Sequence, residues 1–552
     1  ELARTIDGEV RFDDGTRALY ATDLSMYRQV PIGVVVPRHA EDVEATIAAC
    51  RAHDVPIFGR GTGTSLCGQC CNVAVVIDFS KYMNRIVGLD PIARRARVEP
   101  GVVCDQLRLA AEEHHLTFGP DPATHQYCTL GGMIGNNACG VHSVMAGTTA
   151  DNVDELDVLL YDGTRLRVGP TSEDELAAII RGGGRRGDLY GKLRAIRDRD
   201  ADAIRKRYPQ IPRRVSGYNL DQLLPENGFN VARALVGTES TCAITLGATL
   251  RLVHSPPHRV LVVLGYDGIY EAADATSEVL ALHPIALEAF HEHVLVNMRR
   301  KGKVPPGVEL IPKGHMWLLA ELGGDTLREA TDRARSAMDV LKARRGRHVS
   351  MRLITDRAEQ ELIWHIRESA VGASRVPGVE DTLPLWEDSA VDPAKLGPYL
   401  RELIPLIERH GYKFTLFGHF GDGCLHIRID FEPKSAAGVK RLRHFQEQAA
   451  DLVLRYGGSL SGEHGDGQAK GELLPKMFGA ELYQAFREFK SAFDPGWRMN
   501  PGKLVDAYRL DENLRTGPDY EPRRMQTHFG FRDDKGSFAL ATERCFGVGK
   551  CR

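Results

Sequence analysis

The chain has 552 residues, with 71 Lys and Arg against 74 Asp and Glu, a formal charge of -3 and 43% hydrophobic residues. At roughly 100–200 residues per domain this is too long for a single core, so two or three domains are expected, and the balanced charge argues against a nucleic-acid binder or a disordered tail. Glycine is the one unusual count, with 56 residues against a usual share of ~7%, and the glycines cluster.

The longest apolar runs, 32–36 and 260–264, fall far short of the ~18–20 residues a membrane span requires. The first residue is Glu1, with no basic-then-apolar leader after it, which reads as a trimmed start on a cytoplasmic protein. Eleven cysteines without framework spacing fit a reducing compartment. From Val34 to Thr249, β-rich runs at 75–79, 155–163 and 242–252 alternate with helical stretches such as 41–53, the pattern of an α/β or α+β domain. Between Arg181 and Arg214, 12 basic residues stand against 4 acidic ones, which reads as an exposed helix, with docking of an acidic partner as the minor alternative. Pro256 and Pro257 mark a boundary. A second α/β-like region runs to about residue 494, with helices over 325–345 and 395–411, and no internal repeat is found.

The run GGGRRG, with Gly182, Gly184 and Gly187, matches the dinucleotide pattern but follows a helix where that mechanism needs a strand. It is read as a chance match, and no Walker A sequence exists. By contrast, VPIFGRGTGTSLCGQ at 55–69 opens from a short strand into small residues whose backbone N–H groups can close around a diphosphate. LGGMIGNNACG at 130–140 has the same character. The alternative for each is an ordinary glycine turn.

FTLFGHFGDGCLHIRID at 414–430 holds His419 and His426 around Gly-Asp-Gly. An odd spacing puts them on opposite faces of a continuous strand, and a helix would separate them by ~10 Å along its axis. A turn at 421–423 brings the two strand ends alongside each other and makes joint metal ligation possible. SLSGEHGDG at 459–467 offers Glu463 as a third ligand, with His464 beside it. The alternative for any single histidine is a structural role. Cys67, Cys70 and Cys71 are read as packing.

The blocks RGTGTSLCGQ, GPDPATHQYCTLGGMIGNNACG, GTTADNV and VGTESTCAITLGATL resemble the FAD-binding domain of the vanillyl-alcohol-oxidase or PCMH superfamily over about 30–253. The resemblance implies that Arg60, Gly61, Thr62, Gly63, Thr64, Ser65, Gly68 and Gln69 line the pyrophosphate. Pro120, Cys128, Thr129, Gly131, Gly132, Gly135, Asn136, Asn137 and Gly140 would follow the ribityl chain and ring, and Val153, Glu239 and Ile244 the adenine half. Thr64 stands where relatives that tether the flavin have histidine, which implies non-covalent FAD. GHFGDGCLH and SGEHGDG are similar to the metal motifs of FAD-dependent D-2-hydroxy acid dehydrogenases, extending the resemblance over 350–503. It implies His419, His426 and Glu463 as ligands of zinc or another divalent ion, His464 as base, and Asn500 returning to the flavin. Arg367, in WHIRE, would hold the substrate carboxylate; its alternative is a surface salt bridge. Cys424 stands where many relatives have Asn, and WEDSAVDP at 386–393 lacks a lysine expected nearby.

The fold expected from this resemblance is α+β: a PCMH-type FAD-binding domain over 1–256 with a basic helical insertion at 172–214, a substrate and metal cap domain over 257–494, a return to the FAD domain over 495–515, and a linker over 516–552. That linker resembles the lead-in to an iron–sulfur domain, with Cys545 and Cys551 as partial ligands of a [4Fe–4S] cluster in a longer form of the chain. The implied function is metal-assisted oxidation of a D-2-hydroxy acid, D-2-hydroxyglutarate before D-lactate, with hydride passing to flavin N5. Electrons would leave for an iron–sulfur centre, a quinone or an electron-transfer protein. A homo-oligomer without nucleic acid or membrane span, free to associate with the inner membrane face, completes the expectation. The competing readings are a non-catalytic flavin electron-transfer subunit and a metal-free oxidase using O₂.

Overall fold

The structure is a computed structural model that describes residues 2–302, 304–345, 349–373, 383–523 and 525–543. The first half carries β1 (Glu9–Arg11), β2 (Gly33–Val36), β3 (Ile57–Arg60), β4 (Val75–Asp78), β5 (Ile86–Asp90), β6 (Arg95–Val98), β7 (Leu116–Thr117), β8 (Val153–Leu159), β9 (Arg165–Val168), β10 (Ile244–Arg251) and β11 (Val253–His254). β1-β2-β4-β3 form one sheet in which β2, β4 and β3 run parallel. β2 and β4 are wholly buried and apolar except for Asp78 at the end of β4, as strands covered on both faces must be. The helix Ala40–Ala52 makes the crossover from β2 to β3. β5-β6-β10-β8-β9 form a second, antiparallel sheet, and β7 pairs with β11.

The cap sheet consists of β12 (His258–Tyr266), β13 (Ala286–His291), β14 (Met316–Gly324), β15 (Ser350–Ile354), β16 (Phe414–His419) and β17 (Cys424–Ile429), antiparallel in the order β15-β12-β14-β13-β16-β17. Strand alternation divides its side chains. Val262, Leu264, Leu287, Ala289, Leu416 and Ile427 face the helices Ile269–Leu280, Leu327–Arg345 and Leu396–Arg409. Leu261, Val263, Phe290, Trp317, Leu319 and Phe417 face the helix Arg357–Glu368. Register carries Glu288, His419, His426 and Arg428 onto this second face, since Phe290 lies opposite Phe417, Phe417 opposite His426, and His419 opposite Cys424. The expected hairpin is present, closed by the 3-10 turn Phe420–Asp422 and Gly423 at φ +68°.

The reading of GGGRRG stands, and that of the basic helix after it is adjusted. GGGRRG spans the break between the helices Glu173–Gly182 and Gly184–Arg207, with no strand before it. The second helix is not simply exposed: Leu189, Leu193, Ile196 and Ile204 recur at helical spacing and pack toward the helix Leu474–Phe493. Its charge count hid this stripe, and in the segment that follows the helix Arg213 is completely buried. The chain then returns to the first sheet, where Asn500 N–H donates to the Ile57 carbonyl at 2.8 Å and Arg28 N–H to that of Asn513 at 2.9 Å.

A buried ionic cluster joins the two halves. His142 Nδ1 lies 2.6 Å from Asp121, its Nε2 2.8 Å from Glu321 on β14, and Arg108 and Arg259 flank the two carboxylates. Burial disfavours the charged ring, but Asp121 and Glu321 outweigh it and raise His142 from 6.5 to about 9. The raised value places its stabilisation in full below pH 6.5, lost as pH rises through about 9. The contribution is at most about 3 kcal/mol. Urea unfolding at pH 7 and pH 10 should therefore show a larger loss in the parent than in His142→Asn; equal losses would contradict the assignment.

Candidate active site

Residues from β3 and β10, from the loops that follow β3 and precede β10, and from the helix Leu130–Asn136 with its N-cap line a cavity, among them Arg60, Gly61, Ser65, Gln69, Thr129, Gly131, Gly132, Gly135, Asn136, Glu239 and Ile244. Among the described residues, the backbone N–H groups from Gly61 to Leu66 donate to no protein acceptor, and Gly63 takes a positive φ of 73°. Consecutive unpaired amides of this kind form an anion nest. A Cβ on Gly135 would meet no atom within 4 Å and would project into open space at the cavity wall. The loop and cavity thus fit a dinucleotide with its diphosphate on the nest.

The remaining residues of the sequence reading have other roles. The Arg60 guanidinium donates to the carbonyls of Thr22 (2.9 Å) and Cys70, so it braces the loop at the cavity. Thr62, Gly63 and Thr64 lie in the nest segment, and Thr62 Oγ1 donates to the Tyr127 carbonyl at 3.1 Å. Gly68 packs against Tyr27, and Gly140 against the Asp121 backbone. The Pro120 carbonyl faces Cys104 Sγ, Val153 is buried at the start of β8, and Cys128 lies beside Cys104. Asn137 caps the helix Leu130–Asn136 in the left-handed conformation. Asn500 Nδ2 donates to the carbonyls of Gln69 (3.0 Å) and Glu239 (2.8 Å), tying the returning chain to the cavity loops.

His419, His426, Glu463 and His464 converge. Glu463 Oε1 lies 3.2 Å from His419 Nε2, 3.0 Å from His426 Nε2 and 3.1 Å from His464 Nε2. Donors bonded at ~2.0–2.1 Å to one tetrahedral zinc stand ~3.3 Å apart, so His419, His426 and Glu463 fit a shared divalent ion. Burial pushes His426 down to about 3, leaving the neutral imidazole that ligation needs. Each outer histidine also carries an acidic partner. His419 Nδ1 donates to Glu288 at 2.6 Å, and Glu288 pairs with Arg367 at 2.6 Å; His464 Nδ1 stands 2.5 Å from Glu387, and Glu387 pairs with Arg428 at 3.2 Å. These two Arg–Glu–His chains fix ring orientation, since a carboxylate on Nδ1 aims Nε2 at the centre. Burial opposes the charge on His464, but Glu387 outweighs it and raises the ring to about 9. Arg367 is buried beneath the sheet, and its Nε finds no hydrogen-bond partner among the described residues.

The histidine loop is suspended from the cavity wall. Asn136 Nδ2 donates to the Glu463 carbonyl at 2.7 Å, and Gln69 Nε2 to that of His464 at 2.6 Å. Gly465 makes this approach possible: at φ +82°, its Cβ would stand 2.5 Å from both Gln69 and Glu239. Gly465→Ala should therefore break the link and lower flavin content; parental flavin content in purified protein would contradict this.

Glu288, Glu387, Asp388, Asp422 and Arg213 were not singled out from sequence. Asp422 sits inside the Gly-Asp-Gly turn, and Glu387 and Asp388 in the stretch noted for lacking a lysine. Glu288 is a lone acid in an otherwise apolar strand, a usable signal, whereas Arg213 is one basic residue among many. Cys424 lies opposite His419, and burial holds its thiol well above the usual range, so it is neutral. Cys545 and Cys551 lie outside the described residues.

Residues 31–169 match the profile of an FAD binding domain, and residues 255–504 that of the C-terminal domain of FAD linked oxidases. The chain thus carries an FAD-binding domain and the C-terminal domain of FAD-linked oxidases, an α+β architecture of a PCMH-type FAD-binding half and a cap. Among curated proteins it is 32% identical over 519 residues to a D-2-hydroxyglutarate dehydrogenase of Pseudomonas putida, covering 92% of this chain and 51% of the relative. It is 30% identical to the protein so named in Escherichia coli, covering 91% and 51%, and 27% identical to the glycolate oxidase subunit GlcD of Bacillus subtilis, covering 90% and 95%. The chain thus spans about half the length of these two dehydrogenases. An alkyldihydroxyacetonephosphate synthase structure superposes with a TM-score of 0.59 at 15% identity, over 89% of this chain and 82% of that one, which shows the shared fold. Among the described residues no helix is long and apolar enough to cross a membrane.

Proposed function

We propose that the protein oxidises a D-2-hydroxy acid to the 2-oxo acid, with D-2-hydroxyglutarate as the favoured substrate and D-lactate next. The observation that carries this reading is the suspension of His464 and Glu463 from Gln69 and Asn136, because it sets a base and a three-donor cation site beside the flavin cavity. The relatives named D-2-hydroxyglutarate dehydrogenase support the substrate.

Held non-covalently in the cavity, FAD supplies a two-electron acceptor, and a divalent ion, with zinc favoured, supplies the Lewis acid that makes the substrate hydroxyl acidic. His419, His426 and Glu463 hold that ion. With Glu463 engaged by the ion, His464 loses one of the two carboxylates that otherwise hold its ring protonated. Its Nε2 then takes the hydroxyl proton while Glu387 fixes the ring. Arg367, whose Nε has no hydrogen-bond partner among the described residues, holds a substrate carboxylate. Burial of the donors excludes water, and the electrons leave for an external quinone, an electron-transfer protein or an iron–sulfur centre in a longer form of the chain.

Metal removal tests this reading. Treatment with a chelator should slow substrate-driven flavin reduction by at least about tenfold, and Zn²⁺ should restore it. Full activity in metal-free protein would sink the metal-assisted mechanism.

A further inference from the structure

The proposed metal donors come from two pieces of chain, the β16–β17 hairpin and the loop 459–467, and Arg213 bonds to both. Its Nη1 donates to Glu463 Oε2 at 3.0 Å, and its Nε stands 3.1 Å from Asp422 Oδ2 in the turn between the two histidines. The FAD-binding half holds the rest of the guanidinium. Nε donates to Ser143 Oγ at 3.0 Å, Nη2 donates to the Gly140 carbonyl, and Ser143 Oγ in turn donates to Asp422 at 2.5 Å. Arg213 is fully buried, so water does not compete for these partners.

We propose that Arg213 is a positioning residue for the metal: it occupies Glu463 Oε2, so that Oε1 alone faces His419 and His426, and coordination positions stay open for the two oxygens of a 2-hydroxy acid. The inference rests on reading His419, His426 and Glu463 as metal ligands. A carboxylate with both oxygens free can close on a cation through both and fill one position more. With Oε2 taken, the protein contributes three donors, the number that catalytic zinc sites use while keeping a position for substrate. The same guanidinium fixes the distance between hairpin and loop, which no covalent link sets. Lysine could supply the charge but has no planar fork to bond Glu463 and Asp422 together.

The test is Zn²⁺ affinity of the FAD-loaded protein, measured by competition with a chromophoric chelator, together with the visible spectrum of the Co²⁺-substituted form. Arg213→Met leaves Asp422 and Glu463 buried without their cation, so Arg213→Lys, which keeps the charge, guards against misfolding. Arg213→Lys should retain flavin, bind Zn²⁺ roughly 10–100-fold more weakly, and show a Co²⁺ spectrum altered from the parent's. If Arg213 acted only as a neighbouring charge, Arg213→Met would bind Zn²⁺ more tightly, since a repelling cation has gone. That result, or parental Zn²⁺ affinity in Arg213→Lys, overturns the positioning role. Joint loss of flavin and zinc in Arg213→Lys also overturns it, marking a folding role alone. A parent protein that binds no Zn²⁺ instead defeats the metal reading on which the inference stands.

Discussion

Replacing His464 by Asn should slow flavin reduction by D-2-hydroxy acid by a factor of about 10²–10⁴, the usual contribution of a positioned general base. This corresponds to about 3–5 kcal/mol of transition-state stabilisation. Asn approximates the shape of the ring and its hydrogen bonding but takes no proton near neutral pH. Because the proposed metal donors are His419, His426 and Glu463, zinc and flavin contents of the variant should match the parent's. Stopped-flow flavin reduction, with metal analysis on the same sample, checks both halves. A fall of less than about tenfold would remove His464 from the role of base. Loss of zinc along with the rate would move it among the ligands.

The largest effect on stability is expected at Asp388. It is fully buried, forms an ion pair with the equally buried Lys470, and accepts from Ser461 Oγ (2.6 Å), Glu463 N–H (3.1 Å) and His464 N–H (2.7 Å). One carboxylate thus shapes the loop that presents both proposed ligand and base. Asp388→Ala strands the Lys470 charge and three donors, and breaking a buried pair in this way costs about 3–5 kcal/mol. The double variant Asp388→Asn with Lys470→Met should be more stable than Asp388→Asn alone, because the stranded charge is gone. Chemical unfolding followed by flavin fluorescence measures both. An Asp388→Ala protein within about 0.5 kcal/mol of the parent, the range of ordinary surface changes, would contradict this role.

Local chemistry was legible wherever it is written in adjacent residues. The glycine-rich nest at 61–66 and the His419–His426 hairpin follow from small residues, a turn and a strand period. The partners that orient the histidines were not legible, because each comes from a distant strand or loop and looks ordinary in its own context. Glu288 becomes an orienting group only when β13 pairs with β16, and Glu387 only when residues 383–391 line the edge of β17. Arg213 was masked by a region whose net charge suggests solvent, while its neighbours bury a helical stripe. The partners of the Arg60 guanidinium, the Thr22 and Cys70 carbonyls, were equally invisible, because they too come from other stretches of chain.

A D-2-hydroxy acid should reduce the flavin of this protein. Anaerobic mixing of the FAD- and Zn²⁺-loaded protein with D- and L-2-hydroxyglutarate, D-lactate and glycolate, followed by flavin absorbance, tests it directly. The flavin should bleach with D-2-hydroxyglutarate fastest, with D-lactate next, and remain oxidised with the L-enantiomer. A flavin that stays oxidised with every D-2-hydroxy acid would contradict the account.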